Sequence, residues 1–84
     1  MTKLKVGQVE DFHAHVGVMA LRLEEEVRIG DIIHIRGHKT NLTQTIDSIQ
    51  IEYLPVKTAK PGESVGIKTE IRVHPGDMVY KLVR

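Results

Sequence analysis

Histidine is the residue type in this sequence whose chemistry is easiest to test by spacing. His13 and His15 are two residues apart, so an extended chain would project both imidazoles from one face. His34, His38 or His74 could supply a third nitrogen to a metal ion. However, no histidine or carboxylate stands at an established spacing for zinc ligands. We therefore predict that these histidines lie in a solvated hairpin, a strand and turns, with no metal site and no cofactor.

The sequence also offers no convincing set of catalytic residues. The chain contains no cysteine, which excludes a thiolate nucleophile, a thiolate metal site and a disulfide framework. No segment matches G-x-x-x-x-G-K-[ST], the loop that holds nucleotide phosphates, and 84 residues leave no room for the α/β domain that carries it. No acid pair or nucleophile–base set stands out. The sequence thus predicts a protein that is not an enzyme and binds no nucleotide.

Basic side chains offer a different chemistry, because guanidinium and ammonium groups pair with phosphates. The candidate surface consists of Arg36, His38 and Lys39 on one turn, with Lys68 and Arg72 on a strand. The opposing interpretation is a mixed, soluble surface, since an acidic residue separates the last two and residues 24–26 are all Glu.

The composition describes the protein that must position these groups. With 84 residues, of which 40% are hydrophobic, the sequence predicts one globular domain over residues 1–84 with a small core. A formal net charge of +1 predicts no strong non-specific attraction to nucleic acid or anionic lipid. The first residues lack the apolar core of a signal peptide, and no run approaches the roughly 18 apolar residues of a membrane span. We therefore expect a cytoplasmic protein with no membrane association.

Alternating hydrophobic residues predict an all-β fold. Ile33 and Ile35, for example, share one face of an extended segment. The phase slips between Ile46 and Ile49, which predicts a β-bulge near residues 47–48. Six such segments, one of them bent, predict a single closed six-stranded antiparallel β-barrel. The predicted strands are Leu4–Val9, Val16–Leu23, Asp31–Arg36, Leu42–Tyr53, Ser64–Val73 and Met78–Val83.

Three turns share a glycine followed by an acidic residue. The glycines are Gly30, Gly62 and Gly76, and proline precedes the last two. Proline followed by glycine suits a type II turn, because glycine accepts a positive φ without a Cβ clash. We therefore expect Gly62 and Gly76 to have positive φ. The alternative of an anion-binding loop lacks a following helix N-terminus.

These residues resemble the second domain of translation elongation factors of the Tu type, a six-stranded β-barrel shared by translational GTPases. The resemblance covers residues 16–83 and implies the fold. The same barrel also ends some larger proteins of the U32 peptidase type, whose catalytic domain is elsewhere, so the resemblance does not imply proteolysis. The segments that carry it are VRIGDIIHIRG, TIDSIQIEYLPVKTAKPGESVGIK and VHPGDMVYKLV.

The resemblance also implies RNA partners. In the elongation factors this barrel contacts the aminoacylated end of transfer RNA and the small-subunit ribosomal RNA. If the pocket for the aminoacyl end carries over, Ser48, Gln50, Glu52 and Tyr53 line it, with Tyr53 stacked on a base. The chain departs from the family pattern in having HVGVMALRLEEE where the elongation factors have an Arg-Gly pair.

Two functions remain open on the sequence alone. The favoured one is a non-catalytic, translation-factor-like barrel that binds transfer RNA, ribosomal RNA or a ribosome-associated partner. The alternative is a protein–protein interaction module that docks on a larger enzyme and binds no RNA. The candidate RNA-binding residues are Arg36, Lys39, Gln50, Tyr53, Lys68 and Arg72.

Overall fold

The computed structural model describes residues 2–83, which form an all-β, antiparallel fold. This confirms the predicted class. Over this range there are ten strands: β1 Thr2–His13, β2 Val18–Arg22, β3 Val27–Arg28, β4 Ile32–Arg36, β5 Asn41–Thr45, β6 Ile49–Ile51, β7 Leu54–Val56, β8 Thr58–Ala59, β9 Ser64–Lys68 and β10 Met78–Val83.

The strands form one curled sheet and one short ribbon. The eight-stranded sheet has the order β5-β4-β10-β1-β2-β9-β6-β7, and β3 pairs with β8. The long β1 pairs with β10 through its first half and with β2 through its second half. Its register shifts between Lys5 and Gly7 and again between Val9 and Asp11. Such irregularities bend a strand, so β1 forms the spine about which the sheet curls.

The predicted closed six-stranded barrel is therefore wrong in its detail. Across residues 2–83 the sheet ends at β5 and β7, so it forms a half-barrel. Strands β3, β7 and β8 have only two or three residues each, too few for alternation to reveal them. The predicted strand over residues 42–53 is in fact β5 and β6, separated by residues 46–48.

That separation explains the slip in hydrophobic phase. Ile46 and Ile49 are both buried, but β5 ends at Thr45 and β6 begins at Ile49, so a break between two strands stands where a β-bulge was predicted. Ile46 bonds instead to the turn before β4: its N–H donates to the Asp31 carbonyl (2.8 Å) and its carbonyl accepts from Gly30 N–H (2.9 Å). The inward face predicted from Ile33 and Ile35 is confirmed, since both are fully buried.

A buried glutamine bridges the open side of the half-barrel. The Gln44 side chain on β5 is 6% exposed. Its Nε2 donates to the Lys68 carbonyl at 2.9 Å, and its Oε1 accepts from Glu70 N–H at 2.8 Å. The side-chain amide thus provides the donor and the acceptor that a neighbouring strand would offer. The same two bonds give the buried amide its hydrogen-bond partners.

The three glycine turns have one construction. Gly30, Gly62 and Gly76 have φ of 96°, 92° and 94°, which confirms the expectation for the last two. In each turn the carboxylate after the glycine accepts from the backbone N–H three residues earlier: Asp31 from Arg28 (3.0 Å), Glu63 from Lys60 (2.7 Å) and Asp77 from His74 (2.9 Å). The acidic residue therefore caps its own turn.

Candidate docking surface

Within residues 2–83, the non-glycine residues with positive φ both lie in the hairpin between β6 and β7. Its two-residue turn consists of Glu52 and Tyr53, with φ of 50° and 67°. Two consecutive positive φ values define a type I′ turn, which ordinarily uses Asn-Gly or Asp-Gly. A non-glycine residue in this region costs about 1 to 3 kcal/mol. The strain is stored at a site that displays an aromatic ring, because Tyr53 is 93% exposed.

Two further apolar side chains lie beside or near that ring. Leu54 is 67% exposed and Val16, in the turn between β1 and β2, is 50% exposed. Val16 and Tyr53 line one depression of about 290 Å³, together with Gln50, His13 and His15. We call Val16, Tyr53, Leu54 and this depression the hairpin-tip surface. Clustered exposed apolar side chains of this kind mark interaction sites.

An apolar groove adjoins the hairpin-tip surface. It has a volume of about 720 Å³ and its lining includes Ile29, Pro55 and Val56. Gln50 lines both the groove and the smaller depression, so the two adjoin at that side chain. The groove extends the area over which a partner could bury apolar surface.

Strand β7 is the sheet edge beside this surface, but it is poorly suited to strand addition. In a two-residue hairpin the residues flanking the turn, Ile51 and Leu54, form a hydrogen-bonded pair. The next pair, Gln50 and Pro55, is then non-bonded, and the Pro55 nitrogen faces outward without a hydrogen. A partner strand would therefore find no backbone donor at Pro55, so side chains must supply most of the contact.

The structure places the predicted RNA-binding residues on different parts of the sheet. Gln50 and Tyr53 do line one depression. Arg36 lies on β4, separated from β6 by four strands of the sheet, and Lys39 lies in the turn after it.

The remaining two residues lie around the start of β2. Lys68, the last residue of β9, pairs with Val18. The Arg72 guanidinium lies 5.9 Å from the centre of the Phe12 ring. Of the other pocket residues implied by the resemblance, Ser48 lines the apolar groove and Glu52 is exposed in the hairpin turn.

One cluster resembles a catalytic triad in its residue types, and spacing along the chain did not reveal it. Thr40 Oγ1 lies 3.1 Å from His74 Nδ1, and Asp77 Oδ2 lies 3.8 Å from the same nitrogen. In a triad the hydroxyl and the carboxylate contact opposite ring nitrogens. Asp77 instead caps the turn that begins at His74, so the geometry favours a structural role.

Residues 2–83 also lack a metal-binding cluster and a membrane-spanning helix. This part of the chain has no group of three or more His, Asp or Glu side chains placed to hold a metal ion. It also has no helix with the length and apolarity needed to cross a membrane.

Comparison with known proteins gives two curated relatives. The chain is 38% identical over 81 residues to an uncharacterized protease of Methanocaldococcus jannaschii, covering 95% of this chain and 20% of that protein. It is 31% identical over 81 residues to a collagenase of Porphyromonas gingivalis, covering 94% and 22%. This chain therefore spans about one fifth of the length of the curated relatives that it matches. No protein-family model matches the sequence.

Similar solved structures also come from a protein named as a peptidase. Two crystal structures of the C-terminal domain of a putative U32 peptidase from Geobacillus thermoleovorans superpose with a TM-score of 0.85. The selenomethionine variant is 24% identical, with 90% of this chain and 96% of that domain covered. The other structure is 25% identical, with 93% and 91% covered. The fold is thus that of a U32 peptidase C-terminal domain.

These findings overturn three predictions from the sequence. The assignment to the elongation factor family is wrong, because the relatives are named protease and collagenase and the matching structures are the C-terminal domain of a putative U32 peptidase. Translation-factor-like RNA binding loses its basis with that assignment. The prediction of a protein that is not an enzyme is also wrong, since the relatives are named protease and collagenase. The shared motifs consist largely of strand and turn residues, which any barrel of this kind requires.

Proposed function

We propose that this chain is a docking module of a larger U32-type peptidase. The observation that carries the proposal is the size of the match: 81 residues align with only 20% and 22% of relatives named protease and collagenase. The fold matches a domain that lies at the C-terminal end of a putative U32 peptidase. About four fifths of each curated relative is therefore chain against which such a module could pack.

The hairpin-tip surface has the physical properties of a docking contact. Tyrosine is enriched among the residues that dominate binding energy. Tyr53 lies in the two-residue turn that closes the β6–β7 hairpin. Docking would therefore immobilise few additional backbone torsions. Pre-ordering of this kind lowers the entropic cost of association. Because β7 offers no donor at Pro55, specificity comes from Tyr53, Leu54 and the neighbouring depression.

A complementation experiment tests the proposal. The matched 81 residues would be removed from the Porphyromonas gingivalis collagenase, and this chain would be added as a separate protein. We expect association by size-exclusion chromatography with light scattering, together with a change in collagen cleavage. Exchange of Tyr53 to Ala and Leu54 to Ser should weaken association about tenfold or more, as loss of a dominant anchor does.

Ile32→Ser supplies the matched control. Ile32 is also an exposed apolar residue, but it lines neither the apolar groove nor the depression beside Tyr53. This variant should associate like the native chain. The proposal fails if the native chain neither associates with the shortened collagenase nor alters its cleavage of collagen.

A further inference from the structure

We infer that the outer face of β1, β10 and β4 carries a second binding site, which takes an acidic segment of a polypeptide. The site is a depression of about 640 Å³. We call it the basic depression; its lining includes Lys3, Arg36, His38, Met78 and Tyr80. It is separate from the hairpin-tip surface and does not depend on the docking role proposed above.

The cations of this site come together only through the sheet. Lys3 lies at the start of β1 and Arg36 at the end of β4, with β10 between these strands. Arg36 is paired with Met78 on β10, and Tyr80 is two residues further along that strand. Among residues 2–83, those that line the depression include no carboxylate.

Lys3 is held in place by neutral groups. Its Nζ lies 2.7 Å from His34 Nδ1, and His34 Nε2 lies 2.7 Å from the Asn41 amide oxygen. An ammonium group can only donate, so Nδ1 accepts and Nε2–H donates to Asn41. Lys3 Nζ also lies 6.0 Å from the centre of the Tyr80 ring. The ammonium is therefore oriented without being neutralised, and it keeps two N–H groups for a ligand.

Arg36 likewise has no carboxylate partner among residues 2–83. The ion pairs within residues 2–83 join Lys5 to Glu24, Arg28 to Glu26 and His74 to Asp77. Neither Lys3 nor Arg36 takes part in any of them. Arg36 is exposed, and a guanidinium binds a carboxylate through two parallel hydrogen bonds. Two uncompensated cations on one face are complementary to carboxylates.

The surroundings favour a polypeptide over a nucleic acid. Met78 and Tyr80 are partly buried and provide an apolar floor between the cations, which suits a segment that mixes acidic and apolar residues. Recognition of single-stranded RNA uses aromatic rings with a free face. The Lys3 ammonium lies over the Tyr80 ring. The net charge of +1 adds little general attraction for a polyanion.

The test uses a fluorescein-labelled ten-residue peptide in which glutamates alternate with leucines. Its partner probe has glutamine in place of every glutamate. Fluorescence anisotropy would be measured with the whole 84-residue chain at low and at physiological salt. We expect binding of the acidic peptide that weakens as salt rises, and no binding of the glutamine peptide.

The decisive variant is Lys3→Gln with Arg36→Gln. It should weaken binding of the acidic peptide about tenfold, corresponding to two exposed charge contacts. The matched control, Lys57→Gln with Lys60→Gln, removes the same charge outside the basic depression and should bind like the native chain. An ¹H–¹⁵N spectrum of each variant would establish that the fold is kept.

Four outcomes would overturn the inference. They are no binding of the acidic peptide at low salt, equal binding of the glutamine peptide, equal loss in the two double variants, and tighter binding of a ten-nucleotide single-stranded RNA. The last result would assign the site to nucleic acid instead. A native chain that prefers the acidic peptide, with loss confined to the Lys3 and Arg36 variant, supports the inference.

Discussion

The hairpin-tip surface and the basic depression differ in how the chain builds them. The first is largely local: Tyr53 and Leu54 are neighbours in sequence, and the strained turn that displays Tyr53 is only two residues long. The second is assembled from β1, β10 and β4, and its cations come from positions 3 and 36. A local site stores strain in its backbone, whereas a site spread across strands depends on the register of the whole sheet.

The largest expected effect comes from Gln44→Ala, which acts on the frame that both surfaces share. The change leaves the Lys68 carbonyl and the Glu70 N–H without their side-chain partner, at a cost of about 3 kcal/mol in the free energy of unfolding. Urea denaturation would measure it. The matched control is Gln8→Ala, because Gln8 makes only a 3.3 Å bond to the Gly76 carbonyl on the exposed surface. Its effect should stay within about 0.5 kcal/mol, and equal losses in the two variants would contradict the bridging role of Gln44.

Glycine turns give the next largest effect. Gly62→Val and Gly76→Val should each destabilise by about 1 to 3 kcal/mol through backbone strain, measured as a fall in melting temperature. The two differ in place, because Gly76 lines the basic depression and Gly62 does not. Only Gly76→Val should therefore alter binding of the acidic peptide. Asparagine tolerates the left-handed region, so Gly62→Asn should lose less stability than Gly62→Val.

Relief of backbone strain at the hairpin tip should give the smallest change in the free energy of unfolding, and this change should be stabilising. Exchange of Glu52 to Asn and Tyr53 to Gly installs the preferred type I′ pair and should stabilise the chain by about 1 kcal/mol. Association with the shortened collagenase should weaken in the same variant, because the Tyr53 ring is removed, while acidic-peptide binding stays unchanged. A gain in stability with association intact would show that Tyr53 makes no docking contact.

The sequence predicted the parts of the fold that depend on local chemistry. Alternation identified the inward face of Ile33 and Ile35, and the Pro-Gly pairs identified positive φ at Gly62 and Gly76. It did not predict the open half-barrel, because closure depends on whether β5 meets β7, and no local pattern reports that distance. The Gln44 bridge joins residues more than twenty positions apart and was invisible for the same reason.

The candidate site was only partly predictable. Gln50 and Tyr53 were singled out for a polar and aromatic pocket, and they do line one depression. The sequence did not distinguish a translation-factor barrel from a peptidase domain, because the turn and strand motifs serve the architecture of both. It also gave no sign of a positive φ at Glu52 and Tyr53, since neither residue type favours that conformation.

Site-specific photo-crosslinking tests the central claim most directly. A benzoylphenylalanine would be placed at Tyr53 in one variant and at Ile32 in another, each mixed with the Porphyromonas gingivalis collagenase that lacks its matched 81 residues. Docking through the hairpin-tip surface predicts a crosslink to the collagenase chain from position 53 and none from position 32. Crosslinks of equal yield from both positions, or from position 32 alone, would contradict it.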